Sequence, residues 1–125
     1  MPQPRSLYRT VKSNPPARDD FLSYERLGKP MPRSEEQIRR WKGVSTFETL
    51  DQARRIAIAN PGQGDFIAEV AIPADGRITY ERTGKSAGHY TVWGDADTIV
   101  QYVISVVPVR EEETVPRGSD LSTLG

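Results

Sequence analysis

The sequence contains no cysteine. That excludes disulfide frameworks, thiolate zinc sites, iron–sulfur clusters and a cysteine nucleophile. Histidine is nearly as scarce, with His89 the single example in the chain. One imidazole without a second histidine or a thiolate does not make a conventional zinc site, so no metal is expected. Long apolar runs are missing as well. None approaches the roughly 18–20 residues that a membrane helix requires, and the opening "MPQPRSLYRT" has no apolar signal-peptide core. A soluble, cytoplasmic protein without a membrane partner is the expectation.

What is present is enough for one small domain. The chain has 125 residues, 36% of them apolar, and a mean hydropathy of −0.59. The apolar residues gather in short blocks, which supports one modest core. The net charge is zero but unevenly spread: residues 1–42 carry ten Lys/Arg against five Asp/Glu, and residues 111–125 carry one against four. The basic first third admits a phosphate or nucleic-acid partner. A solvated surface with interleaved charges is the simpler account, and nucleic acid is not favoured.

The patterning predicts an α+β domain over 7–110, between a frayed segment 1–6 and a disordered polar tail 111–125. "LYRTVK" (7–12) alternates as a strand, with Leu7, Arg9 and Val11 on one face. "ARDDFLSYERLG" (17–28) reads as a short helix through Phe21, Tyr24 and Leu27. "SEEQIRRWKG" (34–43) reads as a second, opened by Ser34 and Gln37 at capping-box spacing. "GVSTFETLDQARRIAIANPG" (43–62) is the best-defined unit. It joins a strand at Val44–Phe47 to a helix capped by Thr49, with an apolar stripe of Leu50, Ala53, Ile56 and Ala57. "DFIAEVAIP" (65–73), "RITYERT" (77–83) and "HYTVWG" (89–94) follow as strands. Asp95 is placed to cap a short helix, and "VISVVPV" (103–109) reads as a buried strand. Hairpins with one main crossover helix imply a mixed, mostly antiparallel sheet. The 49–60 helix is expected to lie across central strands 65–73 and 103–109.

Phosphate loops are absent. "GKSAG" (84–88) lacks the first glycine of a P-loop, and "PGQGDF" (61–66) follows a helix and precedes a strand, the reverse of a dinucleotide fingerprint. There is no G-x-S-x-G elbow for a serine nucleophile. Asp95 and Asp97 flank one residue at a helix start, where capping explains them.

The order of motifs is more informative. "LYRTV" puts Arg9 in a first strand, "GVSTF" puts Ser45 and Thr46 in a second strand before a helix, and "GHYTVWGDADTIVQYVISVVPV" closes with an aromatic strand, a turn and a last strand. Over residues 7–109 this pattern resembles the small ADP-ribosyltransferase-fold proteins, such as the RNA 2′-phosphotransferases and rifampin ADP-ribosyltransferases. The resemblance implies NAD or an ADP-ribosyl group as cofactor or ligand, bound in a cleft near the first strand. Arg9, Ser45 and Tyr90 would be the catalytic positions. Arg9, Ser45, Thr46, Phe47 and His89 would contact the cofactor, with Arg9 on the pyrophosphate or nicotinamide ribose and Phe47 as a stacking surface. The family's third position is usually a glutamate that orients a ribose hydroxyl. No E-x-E precedes the last strand here; His89, Tyr90, Asp95 and Gln101 are the polar residues in its place. A transition state that develops positive charge on ribose wants a fixed carboxylate, so a catalytically degenerate member is one expectation. The alternative is a non-enzymatic interaction or regulatory module with a protein partner. The missing acid, the short exposed helix around Trp41 and the basic first third support that alternative.

Overall fold

The computed structural model describes residues 3–110; the predicted tail 111–125 and the first two residues lie outside the described part. Six strands form one antiparallel sheet: β1 (Arg5–Val11), β2 (Val44–Phe47), β3 (Phe66–Ile72), β4 (Thr79–Arg82), β5 (His89–Trp93) and β6 (Val103–Pro108), in the order β4-β5-β2-β1-β3-β6. Three helices accompany it: α1 (Glu35–Trp41), α2 (Leu50–Ala59) and α3 (Ala96–Val100). The α+β class is as the pattern predicts. The sheet is antiparallel throughout rather than mixed. Because β2 and β3 both run against β1, α2 crosses from one to the other over that strand.

Both faces of the sheet carry buried residues. Alternation along β1 directs Leu7 and Val11 to the first face, where they join Val44, Ala68, Val70, Ile72, Val92, Phe21 and Ile99 in the larger core. The second face carries α2, whose small residues Ala53 and Ala57 lie against Ile67 and Val109, with Tyr8, Phe47 and Leu50 at the margin. Small residues in the stripe let the helix sit close to the sheet. Thr49 caps α2 by accepting the Gln52 amide at 3.2 Å, and Ser34 does the same for Gln37 at the start of α1, also at 3.2 Å. α1 covers the β4–β5 end of the second face. There the Trp93 indole donates to the Arg39 carbonyl at 2.8 Å, and the Arg39 guanidinium lies 4.7 Å over the same ring.

Several expectations are corrected. β1 begins at Arg5, so residues 5 and 6 belong to the sheet instead of a frayed end. The segment 17–28 is no α-helix: it makes one 3-10 turn, Arg18–Phe21, then turns that leave Tyr24 and Leu27 exposed. Phe21 alone of that stripe reaches the core, and the three-residue spacing fits a 3-10 repeat as well as an α-helix. Asp95 makes no side-chain cap; its backbone carbonyl accepts from Thr98 and Ile99, both at 2.9 Å. β6 is an edge strand with Ile104 exposed, rather than a buried central one, and Pro108 suits that edge because it donates nothing to a ladder. The strands beneath α2 are accordingly β1, β2 and β3. Arg39 pairs with Glu81 of β4 at 2.6 Å, and Arg40 and Glu36 make an (i, i+4) approach at 3.9 Å.

Candidate functional site

β1 and β2 share a single paired position, Tyr8 opposite Phe47, whereas β1 and β3 pair at seven and β2 and β5 at four. The ladder between the two middle strands is therefore nearly absent. Arg9 fills the gap. Its Nη1 donates to the Ser45 carbonyl at 2.8 Å, and its Nε donates to the Asp20 carbonyl at 2.8 Å. One guanidinium thus fastens β2 and the 3-10 turn to β1, a bridging role suited to its rigid fork of donors. Burial lowers the Arg9 pKa to about 10, partly opposed by Tyr24 and Asp20; the group stays cationic at neutral pH. Burial also pushes Asp20 upward, but the Lys12 and Ala17 amides, the Ser13 hydroxyl and Arg9 together hold it below the usual carboxylate value.

Ser45 is engaged from its other side by His89. The Ser45 hydroxyl lies 3.1 Å from His89 Nε2, and His89 Nδ1 lies 3.0 Å from the Thr83 carbonyl. A carbonyl only accepts, which assigns the ring proton to Nδ1 and leaves Nε2 as a bare acceptor facing the serine. The buried Thr83 hydroxyl packs behind the ring, 3.2 Å from Nδ1 and 2.6 Å from the Thr91 hydroxyl. Phe47 meets the imidazole edge-on at 5.4 Å. Desolvation lowers the His89 pKa; the bond to Thr83 opposes this and the Arg40 charge adds to it. His89 is neutral at pH 7. Arg40 has a buried Nε with no hydrogen-bond acceptor, an exception to the usual satisfaction of buried donors.

The loop between β4 and β5 positions this group. Gly84 and Gly88 both have positive φ, 77° and 78°, the left-handed region that favours glycine. The Gly88 carbonyl accepts the Glu48 amide at 2.8 Å, and the Gln52 side-chain amide donates to the Ala87 carbonyl. The start of α2 therefore holds the loop, and with it His89, against β2.

The expected site residues fall on two faces of the sheet. Ser45, Phe47 and His89 lie together on the second face. Thr46 and Tyr90 lie on the first, where the buried Thr46 hydroxyl donates to the Tyr90 carbonyl at 3.0 Å and the Arg5 guanidinium sits 4.9 Å over the Tyr90 ring. Arg9 projects to the first face and reaches the second group only through the Ser45 backbone. Arg5 also pairs with Glu48 at 3.3 Å. Asp95 and Gln101 stand apart from both groups. A cavity of about 310 Å³ opens on the first face between Phe21–Arg26 and Gly94–Ala96, and another of about 270 Å³ lies beside Ala57 and Val109. Neither is lined by Arg9, Ser45, Thr46, Phe47, His89 or Tyr90. Thr83 and Arg40 were not legible as site residues: their parts depend on a hairpin and a helix–sheet contact that local patterning does not encode. Among the described residues no group of three or more His, Cys, Asp or Glu could hold a metal, and no helix is long and apolar enough to cross a membrane. Comparison with protein-family models, curated proteins and solved structures gives no match.

Proposed function

We propose that the protein is an ADP-ribosyltransferase-like domain that binds NAD or an ADP-ribosyl group where β1 and β2 part, and that it binds this ligand without transferring it. One observation carries the reading: Ser45 is bonded to Arg9 through its carbonyl and to His89 through its hydroxyl. A first-strand arginine, a second-strand hydroxyl and a later polar residue are thereby connected in the order that the sequence resemblance implies. His89 takes the place of the expected acid. A neutral imidazole can hydrogen-bond a ribose hydroxyl but offers no fixed negative charge to a cationic transition state. Arg9 is the cation for the pyrophosphate on the first face, and the Ser45 main chain links it to Phe47 and His89 on the second. Calorimetric titration of the full chain with NAD and with ADP-ribose tests this. Saturable binding that weakens roughly 10–150-fold in Arg9→Ala, the loss of one charge-assisted hydrogen bond, supports it. No heat of binding from either ligand overturns it.

A non-enzymatic interaction module is the second reading. It is favoured by the division of the expected residues between two sheet faces and by their absence from both cavities. Retention of a protein partner with no nucleotide binding would select it.

A further inference from the structure

The Ser45–His89–Thr83 line has a property that nucleotide binding does not use. We propose that Ser45 is a His89-activated nucleophile toward activated carboxylic esters, an acyl-transfer site built on a strand in place of a sharp turn. The inference does not rest on the nucleotide reading.

Four observations point to it. The Ser45 residue is exposed, so its hydroxyl is open to a substrate. It lies 3.1 Å from His89 Nε2, within the reach a general base needs. The tautomer is the productive one, because the Thr83 carbonyl at 3.0 Å from Nδ1 holds the proton on the far nitrogen. Behind it the buried Thr83 and Thr91 hydroxyls, 2.6 Å apart, and the edge contact of Phe47 fix the plane of the ring. This is nucleophile, base and orienting group in sequence, the arrangement that activates a serine, with a backbone carbonyl standing where a carboxylate often stands. The burial and neighbouring Arg40 that depress the imidazole pKa keep it in the free-base form at neutral pH. A carbonyl stabilises an imidazolium less than a carboxylate does, which confines the chemistry to esters with good leaving groups.

In the step, Ser45 Oγ attacks the ester carbonyl carbon as its proton passes to Nε2. The tetrahedral intermediate expels the aryl alcohol, which leaves with that proton. A water that gives its proton to Nε2 then attacks the acyl-serine. The carboxylic acid departs and the proton returns to Ser45. Atoms and electrons balance without a cofactor.

The test uses the full chain and an aryl-ester-mimicking fluorophosphonate, which phosphonylates an activated serine with loss of fluoride. Intact mass and peptide mapping should place one adduct on Ser45, absent in Ser45→Ala. In His89→Gln, confirmed folded by its melting curve, the rate should fall at least about 100-fold, the usual scale of general-base assistance. The wild-type rate should rise with pH with its midpoint below the ordinary histidine value; a histidine with only a structural role would leave that profile flat. A folded wild type that takes no adduct overturns the proposal. So does an adduct mapped elsewhere, or His89→Gln labelling as fast as wild type.

Discussion

Arg9 and Ser45 are joined across the interval between β1 and β2, where the strand ladder is reduced to a single pair, a guanidinium donating at 2.8 Å to a main-chain carbonyl. The side chain does there what backbone amides do elsewhere in the sheet. Its removal would leave the Ser45 and Asp20 carbonyls without their donor, and hydrogen bonds to charged groups contribute about 1.5–3 kcal/mol each. Arg9→Met is expected to destabilise by about 2–4 kcal/mol in urea unfolding, discounted for relaxation and water entry. Arg9→Lys should recover less than half of this, because one ammonium cannot present the same fork to two carbonyls.

Glycine substitutions should separate by their surroundings. Gly64 has φ 149°, and a Cβ there would run into the Val11 carbonyl, a backbone atom that cannot swing away. Gly62 faces open space. Gly64→Ala is expected to lower stability by several kcal/mol, on the order of backbone strain added to a steric clash. Gly62→Ala should melt within a degree or two of wild type. Thermal unfolding of the pair checks this, and equal losses would place the Gly64 contact in error.

His89 should make stability pH-dependent. Its folded pKa lies below the ordinary value of about 6.5, so the unfolded chain takes up a proton at a pH where the folded chain does not. The contribution is complete above that ordinary value and is lost as pH falls through the folded pKa. The melting temperature of wild type minus that of His89→Gln should therefore decrease between about pH 7.5 and pH 5, since the ordinary value lies between them. The difference removes what Asp20 and the other carboxylates contribute to both proteins. A constant difference would show that His89 titrates alike in both states.

The helix–sheet contact on the second face is set by alanines. Ala53 is fully buried against the group that contains Ile67 and Val109. Ala53→Leu must push α2 outward, at a cost of about 1–3 kcal/mol for overpacking. Ile58, on the outer side of the same helix, is 42% exposed, and Ile58→Gln should be neutral within about 0.5 kcal/mol. Chemical denaturation of the two variants tests the facing of the helix.

Much of the fold was legible because the relevant signals are local. The alternation of Leu7, Arg9 and Val11, the Ser34 and Thr49 caps, and the Ala53/Ala57 stripe each occupy a few consecutive residues and appear in the structure where the pattern puts them. The misreadings share a different cause. Residues 103–109 are β-branched enough for a central strand, but whether a strand is central or at an edge depends on sheet order, which composition does not carry. Phe21, Tyr24 and Leu27 have a spacing common to several backbone forms. In the site, proximity of Ser45 to His89 follows from the register of β2 against β5, which pairs Phe47 with His89 and Thr46 with Tyr90. Strand alternation puts neighbouring residues 45 and 46 on opposite faces. Adjacent members of a motif within one strand look away from one another, so Ser45 and Thr46 do not share a site.

The near-absent ladder between β1 and β2 has a consequence for how the chain reaches this state. It leaves two three-stranded groups, β4-β5-β2 and β1-β3-β6, and the chain alternates between them: first strand in one, second in the other, third back in the first, then two in the second and the last in the first. Neither group is contiguous in sequence. Each must wait for distant segments and close long loops before its strands can pair, and that entropy is spent before the contacts repay it. A cut in the 59–65 connection would leave both groups missing strands, so neither fragment should fold alone, and the intact chain should fold slowly for its length.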